Sequence, residues 1–285
     1  MKIVVIGSIE AGVSAAHKLG AAFNEAKIVV YEKSAFYSCG SCGLPYYLSE
    51  SMESLKTAIG AKEQLLAAER IEAHLRHEVS EIRPERKEIT VRDIENDRVF
   101  TDTYDKLILA TGSSNLLPDV PGAEKVGVQT LKSVEELLFL KEYTKTPYVR
   151  DICILGGSYA GLEIAKAFLK LGRSIRVIER QNKLLPGFDP EVCEMLMQEL
   201  AEEGVQVVLN ETVKEFTGRT FIDGVRTNRG RYDCDLCVVA IGVAPNTALA
   251  RAAGISLTES GAVAINERLE TSVKDVYAVG DCAAQ

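Results

Sequence analysis

The chain has 285 residues, of which 46% are hydrophobic, enough to fill the cores of two domains. Its net charge of −8 and the lack of a basic cluster argue against a nucleic-acid partner, and no run of about eighteen apolar residues predicts a membrane span. Seven cysteines, an odd number, are typical of reduced thiols and not of a secreted disulfide framework. Because the N-terminus also enters a strand instead of a signal peptide, we expect a cytoplasmic protein.

The first half of the chain is predicted to begin with a parallel strand–helix–strand unit. Residues 2–6 form a buried strand, residues 12–23 a helix and residues 27–32 the next strand. A further helix is expected near 61–70. From about 74 to 109 apolar residues alternate with polar ones, which predicts a small antiparallel meander.

The second half repeats the pattern after a linker rich in Pro and Gly at residues 118–122. A capping box that begins at Ser133 predicts the start of a helix. A second strand–helix–strand unit spans 151–179, a helix follows at 189–203, and the chain returns to the first domain at 244–246. The predicted fold class is therefore α/β, with two Rossmann-like nucleotide-binding domains of the three-layer ββα type, the second inserted in the first.

Each unit carries a glycine-rich turn between its first strand and its helix. Glu32 and Glu179 follow these turns by about twenty residues, the spacing expected of an acid that holds a ribose hydroxyl. Glycines let the backbone approach a pyrophosphate at the helix N-terminus, where free N–H groups favour an anion. Packing alone could explain one such turn, but two in register indicate two dinucleotide sites. The turn residues expected to contact the nucleotides are Gly7, Ile9, Glu10, Ala11 and Gly12 in the first unit, and Gly156, Gly157, Ser158, Tyr159, Ala160 and Gly161 in the second.

Further polar positions refine the ligand predictions. Glu179 favours NADH, because a carboxylate can accept a hydrogen bond from the 2′-hydroxyl, but Arg180 beside it can pair with a 2′-phosphate, so NADH and NADPH both stay open. Two more turns follow apolar strands and are expected at the ligand crevice, although each is also compatible with an ordinary strand-ending turn. They are Ala110-Thr111-Gly112 and Gly280-Asp281. The Asp281 carboxylate can accept hydrogen bonds from a ribityl chain.

Cys42 lies in a polar, glycine-rich segment that starts a helical stretch. A thiol near a helix start is expected to have a lowered pKa, and the thiolate is its reactive form. The alternative, a buried structural cysteine, is expected for Cys153, Cys193, Cys234 and Cys237. The last two are predicted to face opposite sides of a strand. A zinc site that joins them to Cys39 and Cys42 would need two pairs far apart in the sequence to meet, so it is not expected, and no metal is predicted.

In combination, these motifs resemble the pyridine nucleotide–disulfide oxidoreductases along the whole chain. The segment around Cys42 is similar to the single-cysteine branch of that family, which contains coenzyme A-disulfide reductase, NADH oxidase and NADH peroxidase. The motifs that carry the resemblance are Ser38 to Tyr47, Ala110-Thr111-Gly112-Ser113-Ser114, Gly156-Gly157-Ser158-Tyr159-Ala160-Gly161-Leu162-Glu163 and Gly280-Asp281-Cys282-Ala283.

The resemblance implies a fold, two cofactors and a reaction. FAD is expected on a discontinuous domain, residues 1–117 and 245–285, and NADH or NADPH on the inserted domain, residues 118–244. Cys42 is implied to lie beside the flavin, on the face away from the nicotinamide. The implied activity is that of an FAD-dependent NAD(P)H:disulfide oxidoreductase, nearest to coenzyme A-disulfide reductase, which passes hydride from nicotinamide through flavin to a small-molecule disulfide at Cys42.

The resemblance also assigns individual roles. Tyr159 is implied to cover the nicotinamide side until the coenzyme arrives, Glu163 to help place the nicotinamide, and Val79 to touch the adenine end of FAD. With Cys42 and Cys39, Tyr159 and Glu163 make up the expected catalytic residues. The remaining expected cofactor contacts are Lys33, Ser38 and Gly242.

Three features depart from the family pattern. Cys39 stands where relatives usually carry an apolar residue. Its spacing from Cys42 suggests that the two cysteines form an internal disulfide, and the alternative is that Cys39 is an incidental small residue. Counting thiols in denaturant before and after reduction tests whether the disulfide forms. Glu10 stands where oxidases and peroxidases carry a histidine, and its carboxylate would repel a sulfenate, which disfavours peroxide chemistry. The sequence ends at Gln285, whereas full-length relatives continue into a dimerisation domain, so an incomplete flavin site and no family dimer are expected.

Two alternatives stay open. One is an NADH oxidase or peroxidase that uses a Cys42 sulfenic acid, which dimedone would trap after peroxide treatment. The other is a nucleotide-binding fragment without turnover, which would be colourless and would not bind added FAD. A mass adduct of coenzyme A on Cys42 would instead favour the disulfide reductase.

Overall fold

Two parallel sheets organise the chain, one in each of two units. The computed structural model describes residues 1–8, 10–37, 40–51, 55, 66–67 and 71–285. The first unit comprises Met1–Gly40, Ser54–Ser114 and Ala244–Gln285, and the second comprises Ser41–Glu53 and Asn115–Val243. The predicted α/β fold class, with a Rossmann-like sheet in each unit, is confirmed.

The structure defines the following elements in the described residues. The helices are α1 Glu10–Ala22, α2 Leu44–Leu48, α3 Val134–Tyr143, α4 Tyr159–Lys170, α5 Pro190–Glu202 and α6 Ala248–Ala252. The strands are β1 Lys2–Ile6, β2 Lys27–Tyr31, β3 Glu72–His74, β4 His77–Arg83, β5 Glu88–Asp93, β6 Arg98–Thr103, β7 Lys106–Leu109, β8 Ser113–Asn115, β9 Val128–Gln129, β10 Asp151–Leu155, β11 Ser174–Ile178, β12 Gln206–Val208, β13 Val213–Thr217, β14 Gly224–Thr227, β15 Arg231–Asp233, β16 Leu236–Val239, β17 Val243–Pro245, β18 Val263–Ala264, β19 Val276–Ala278 and β20 Ala283–Ala284.

The two central sheets share one topology. The strand order is β3-β2-β1-β7-β19 in the first unit and β12-β11-β10-β16-β9 in the second, and all neighbours are parallel. In each sheet the glycine turn follows the central strand, β1 or β10. The strand order reverses beside that strand, and ligands of open α/β sheets bind in the crevice at such a point.

Alternating side chains give each sheet two apolar faces. In β1, Val4 and Ile6 pack with the antiparallel meander β4–β6, whereas Ile3 and Val5 pack with α1. The first unit therefore has three layers: helix, parallel sheet and meander. In the second unit Phe216 joins the meander β13–β15 to the sheet in the same way.

Most predicted elements are present, with shifted ends. α1 begins two residues before the predicted start, at Glu10, because an acidic residue is favourable in the first turn of a helix. The capping box is confirmed: the Ser133 hydroxyl accepts a hydrogen bond from the N–H of Glu136 at 3.2 Å, and the Glu136 carboxylate accepts one from the N–H of Ser133 at 3.0 Å. Of the helix predicted near 61–70, only residues 66–67 are described, and they are helical.

The segment Ser41–Glu53 belongs to the second unit, whereas the sequence analysis placed it in the first domain. Its helix α2 packs on α3 and α4. The ammonium group of Lys141 donates a hydrogen bond to the carbonyl of Tyr47 at 3.1 Å, and that of Lys170 donates to the Ser51 hydroxyl at 3.1 Å. These contacts join residues that are far apart in sequence, so no local pattern could signal them.

Besides the two ends of the segment Ser41–Glu53, the chain passes between the units at residues 114–115 and 243–244, close to the predicted boundaries at 117–118 and 244–245. The connecting strands β8 and β17 pair with each other. Within the described residues, no helix has both the length and the apolar character that crossing a membrane requires.

Candidate functional site

The first glycine turn connects β1 to α1 and has no room for side chains. Gly7 has a φ of +104°, and a Cβ there would lie 2.2 Å from the carbonyl oxygen of Ala110. A Cβ on Gly12 would lie 1.9 Å from the carbonyl oxygen of Gly7. The backbone of the turn itself therefore requires glycine at both positions. The first N–H groups of a helix lack intrahelical acceptors, so the start of α1, at Glu10 and Ala11, is the part of the turn suited to an anion.

Glu32, predicted to hold a ribose hydroxyl, is buried after β2 and supports the first turn. Its Oε2 accepts hydrogen bonds from the N–H and the hydroxyl of Ser8 at 2.7 and 3.0 Å, and its Oε1 accepts one from the N–H of Ser34 at 2.9 Å. A carboxylate offers about four acceptor sites, so one site remains for a further donor. Lys33, the next residue, is exposed.

The second glycine turn, between β10 and α4, reproduces this packing. Gly156 has a φ of +115°, and a Cβ there would lie 2.4 Å from the carbonyl oxygen of Ala240. A Cβ on Gly161 would lie 2.1 Å from the carbonyl oxygen of Gly156. Ser158 caps α4, and its hydroxyl accepts a hydrogen bond from the N–H of Gly161 at 3.4 Å. The predicted repeat of the glycine turn thus extends to the same backbone contacts.

Glu179 occupies the place of Glu32 in the second unit. It is buried after β11, its Oε2 accepts a hydrogen bond from the N–H of Gly157 at 2.7 Å, and its Oε1 accepts one from the N–H of Gln181 at 2.7 Å. Both oxygens keep free acceptor sites, so this carboxylate is held in place and can still accept a ribose hydroxyl. Arg180, beside it in the chain, is exposed.

The two strand-end motifs of the first unit lie at its glycine turn. A Cβ on Gly280 would lie 2.7 Å from the Cβ of Ala11, at the start of α1. The Asp281 carboxylate accepts a hydrogen bond from the Ser113 hydroxyl at 2.6 Å. The Thr111 hydroxyl donates to the main-chain carbonyl of residue 246 at 2.6 Å, which fixes residues 110–112. The structure therefore places residues 110–112 and 280–281 beside the first glycine turn, whereas the sequence predicted only that they lie at the ligand crevice.

Cys42 and three aromatic or acidic side chains form a cluster in the second unit. Cys42 is exposed and free in the turn Ser41–Gly43, directly before α2. A hydrogen bond to Glu163 raises the pKa of Tyr46, and Tyr159 and Cys42 raise it further. The Tyr46 hydroxyl thus lies within electrostatic range of Cys42, Tyr159 and Glu163, three of the four predicted catalytic residues.

Tyr46 is the member of this cluster that the sequence reasoning missed. It lies on α2 and its side chain is exposed to 41%, whereas Tyr47 beside it is buried. A signal was present, because Tyr46 follows Cys42 by only four residues, in the segment predicted to start a helical stretch. Its pairing with Glu163 on α4 required the tertiary structure.

The other predicted site residues have varied positions. Ile9, Ser38 and Cys39 lie outside the described residues, so the predicted pairing of Cys39 with Cys42 stays a prediction. Gly242 is exposed in the turn between β16 and β17, with a φ of +122°. The side chain of Val79 is buried in the core between the meander and the sheet, so only its backbone remains for the predicted contact with adenine.

The prediction that Cys234 and Cys237 face opposite sides of a strand is wrong. Both pack in one apolar core with Cys153, which is the register partner of Cys237. Cys234 precedes β16, so the alternation of side chains along a strand does not apply to it. Burial raises the pKa of Cys234, and a hydrogen bond with Cys153 together with burial raises the pKa of Cys237, so both are held as thiols. In the described part of the chain, no group of three or more His, Cys, Asp or Glu could hold a metal ion.

Comparison with known proteins identifies similar sequences and structures. The family model described as "Pyridine nucleotide-disulphide oxidoreductase" matches residues 1–285. The NAD(P)H sulfur oxidoreductase (CoA-dependent) of Pyrococcus abyssi is 33% identical over 282 residues, and the NADH oxidase of Streptococcus pyogenes is 30% identical over 295 residues. The crystal structure of reduced CoADR-RHD from Bacillus anthracis superposes with a TM-score of 0.94 at 28% identity.

These matches cover nearly all of this chain but only part of each relative. The alignments include 99% of this chain, against 62% of the Pyrococcus relative, 64% of the Streptococcus relative and 51% of the Bacillus chain. The chain thus spans about three-fifths of the length of the curated relatives that it matches.

Proposed function

Because the chain belongs to the pyridine nucleotide-disulphide oxidoreductase family, we propose that it binds FAD in the first unit and NADH in the second and reduces a small-molecule disulfide at Cys42. One observation carries this proposal: the same glycine turn and buried glutamate occur in both units. The exposed thiol of Cys42 adds the group that a disulfide requires. The predicted domains, a discontinuous FAD domain and an inserted NAD(P)H domain, are part of the proposal.

The first unit fits an FAD nucleotide. The turn at Gly7 and Gly12 is bare of side chains beside the start of α1, where a pyrophosphate is stabilised by N–H groups and the helix dipole. Glu32 keeps an acceptor site for a ribose hydroxyl, and Asp281 supplies a carboxylate for the ribityl chain. When bound, FAD supplies the ring that takes a hydride from the nicotinamide and passes two electrons to sulfur.

The second unit fits NADH better than NADPH. Glu179 is buried, and the N–H groups of Gly157 and Gln181 hold its carboxylate in place. A 2′-phosphate would bring a second negative charge beside this fixed carboxylate, whereas a 2′-hydroxyl donates a hydrogen bond to it. The guanidinium of Arg180, the next residue, could pair with a 2′-phosphate. Its side chain is exposed, and an exposed ion pair contributes little to binding.

The chain's own chemistry takes place at sulfur. The Cys42 thiolate attacks one sulfur of the substrate R–S–S–R, a mixed disulfide Cys42–S–S–R forms, and RS⁻ leaves. Two electrons and a proton then cleave the mixed disulfide, which releases RSH and restores the thiolate. Tyr159 and Glu163, on the first turn and a half of α4, place the nicotinamide of the coenzyme.

A second candidate function is that of an NADH oxidase or peroxidase. It is favoured by the similarity to the NADH oxidase of Streptococcus pyogenes. In this alternative, Cys42 is oxidised by peroxide to a sulfenic acid, and water is released. The Glu10 carboxylate disfavours it: a Cβ on Gly40 would lie 3.2 Å from Glu10 Oε1, so this negative charge lies beside the segment that leads to Cys42.

Anaerobic turnover with coenzyme A disulfide tests the proposal. We expect two thiols released for each NADH oxidised, and a loss of at least about 100-fold in kcat for Cys42→Ser, because the attacking sulfur is removed. Cys193→Ser is the matched control, since Cys193 is buried and its Sγ donates to the Leu184 carbonyl, a bond that serine can keep. Full activity of Cys42→Ser would contradict the proposal. Dimedone labelling of Cys42 after peroxide, without disulfide turnover, would favour the oxidase or peroxidase.

A further inference from the structure

A cleft between α2 and α4 includes Glu163, which places the nicotinamide in the proposed reaction, but its other lining residues have no role in that reaction. It has a volume of about 200 Å³ and lies within the second unit. Its lining residues are Pro45, Tyr46, Ser49, Glu163, Lys166, Ala167 and Lys170. Sites for whole drug-sized ligands measure about 300–1,000 Å³, so this cleft suits one end group of a ligand and not a complete molecule.

The lining of the cleft favours an anion. Lys166 and Lys170 lie four residues apart on α4, so both ammonium groups lie on one face of the helix. Within the described residues, neither has a carboxylate within ion-pair distance. Glu163 carries the opposing charge and lines the cleft together with Tyr46. The charged groups of the cleft therefore sum to one net positive charge.

Two serine hydroxyls lie beside the Lys170 ammonium group at the rim, and that of Ser49 donates a hydrogen bond to the Tyr46 carbonyl at 3.2 Å. The Lys170 ammonium donates a hydrogen bond to the Ser51 hydroxyl at 3.1 Å, and this hydroxyl lies 2.8 Å from that of Ser49, which lines the cleft. Hydroxyl and ammonium donors together are the groups that bind phosphate and carboxylate oxygens.

The cleft adjoins the reactive thiol. Pro45 and Tyr46 line it, lie on α2 and follow Cys42 in the sequence by three and four residues. A disulfide whose sulfur reaches Cys42 can thus extend its charged end along α2 into the cleft.

We propose that the cleft between α2 and α4 binds an anionic end group of the disulfide substrate, a phosphate or a carboxylate, through Lys166 and Lys170. This inference rests on the proposed function for the identity of Cys42 as the reacting thiol. It adds that substrates with an anionic group are selected over neutral disulfides of the same reactivity.

Thiol–disulfide exchange of reduced protein with two reagents tests the cleft without NADH or turnover. The reagents are 5,5′-dithiobis(2-nitrobenzoate), which carries two carboxylates, and neutral 4,4′-dithiodipyridine. The exchange rate at Cys42 is the difference between the rate of the protein with Cys42 and the rate of Cys42→Ser. Lys166→Gln/Lys170→Gln is expected to slow the anionic reagent about tenfold at low salt and the neutral reagent less than about twofold. Salt should shrink the difference, because it screens exposed charges.

A charge-matched variant separates the cleft from the overall charge of the protein. Lys145→Gln/Lys214→Gln removes two exposed lysines of the same unit and is expected to leave the ratio of the two rates within about twofold. If Lys166→Gln/Lys170→Gln slowed both reagents equally, the proposal that the cleft binds an anion would be wrong. It would also be wrong if the control variant changed the ratio of the two rates by the same factor. Failure of the proposed function would give a different result. The lysine variant would still slow the anionic reagent more than the neutral one, but the wild-type protein would show no NADH-dependent turnover.

Binding of inorganic pyrophosphate provides a readout that needs no thiol. In Cys42→Ser protein with saturating FAD and NAD⁺, titration calorimetry is expected to show affinity at least about tenfold weaker after Lys166→Gln/Lys170→Gln. Unchanged affinity would overturn the proposal. Exchange rates with coenzyme A disulfide and glutathione disulfide then distinguish the source: a larger loss with the former assigns the cleft to phosphate, and a larger loss with the latter assigns it to carboxylate.

Discussion

Glycine at the two nucleotide turns is required by the chain's own backbone. A Cβ on Gly161 would lie 2.1 Å from the carbonyl oxygen of Gly156, so Gly161→Ala must push the turn away from α4. We expect the free energy of unfolding to fall by about 1–3 kcal/mol, as for other overpacked sites, and NADH affinity to fall with it. Urea unfolding and coenzyme titration measure the two effects.

Gly230→Ala is the control for this substitution. A Cβ on Gly230 would meet nothing within 4 Å, so the unfolding free energy should change by no more than about 0.5 kcal/mol. Equal stability and equal NADH affinity of Gly161→Ala and Gly230→Ala would contradict the packing that the structure shows for the second turn.

Coenzyme preference is expected to depend on one buried carboxylate. Glu179→Gln removes the negative charge beside the 2′ position, so the ratio of kcat/KM for NADPH to that for NADH should rise about tenfold, the effect of about 1.4 kcal/mol. Steady-state kinetics with both coenzymes measure the ratio. Glu199→Gln removes an exposed charge from α5 and should leave the ratio unchanged. An unchanged ratio in Glu179→Gln would show that Glu179 does not discriminate.

At the residue scale, sequence spacing located the turns and the thiol but not their partners. Glu32 and Glu179 were found because an acid at a fixed distance from a glycine turn is a local signal. The hydrogen bond between Tyr46 and Glu163 joins α2 to α4 and has no such signal. The same limit explains the error at Cys234, where the strand begins two residues later than the alternation required.

At the element scale, an ion-pair cluster joins parts of the first unit. The ammonium groups of Lys106, in β7, and Lys87, between β4 and β5, each lie 2.6 Å from the carboxylate of Asp275, which precedes β19. Lys106 and Lys87 lower the pKa of this carboxyl from 3.8 to about 2. The cluster therefore contributes stability above pH 3.8, and this contribution is lost as the pH falls through 2.

Acid unfolding of Asp275→Asn tests this cluster. Asn is tolerated at the positive φ of residue 275, so the substitution removes mainly the charge. We expect a lower free energy of unfolding than in the wild type at neutral pH, and a smaller decrease between about pH 4 and pH 2. Asp97→Asn, at another positive φ and in an exposed pair with Arg92, should follow the wild-type curve. Parallel curves for the wild type and Asp275→Asn would contradict the assigned role.

The elements themselves were largely predictable, whereas their packing partners were not. Periodicity and turn residues predicted β1, α1, β2 and the meander of the first unit, and the capping box located the start of α3, because these signals lie within a few residues. The short helix α2 gave no indication that it packs on α3 and α4, since that depends on contacts made by Lys141 and Lys170 about 100 residues away.

On the scale of the whole molecule, the chain repeats one nucleotide-binding design. Both sheets have the same strand order, both place a glycine turn after the central strand, and both close it on the carbonyl of the strand beside it, at Ala110 or Ala240. Two copies of one dinucleotide fold explain why a sequence reading could reach the fold class. The segment that contains Cys42 and lines the cleft is not part of this repeat, and the proposed reaction at sulfur takes place there.

Anaerobic titration of FAD-loaded protein with NADH, followed by visible spectroscopy, tests the proposed path of electrons to sulfur most directly. We expect the Cys42 thiolate to produce a long-wavelength absorption with oxidised flavin after about one equivalent of NADH, and Cys42→Ser to lack it. Complete bleaching of the wild-type flavin without this absorption would contradict the transfer of electrons to Cys42.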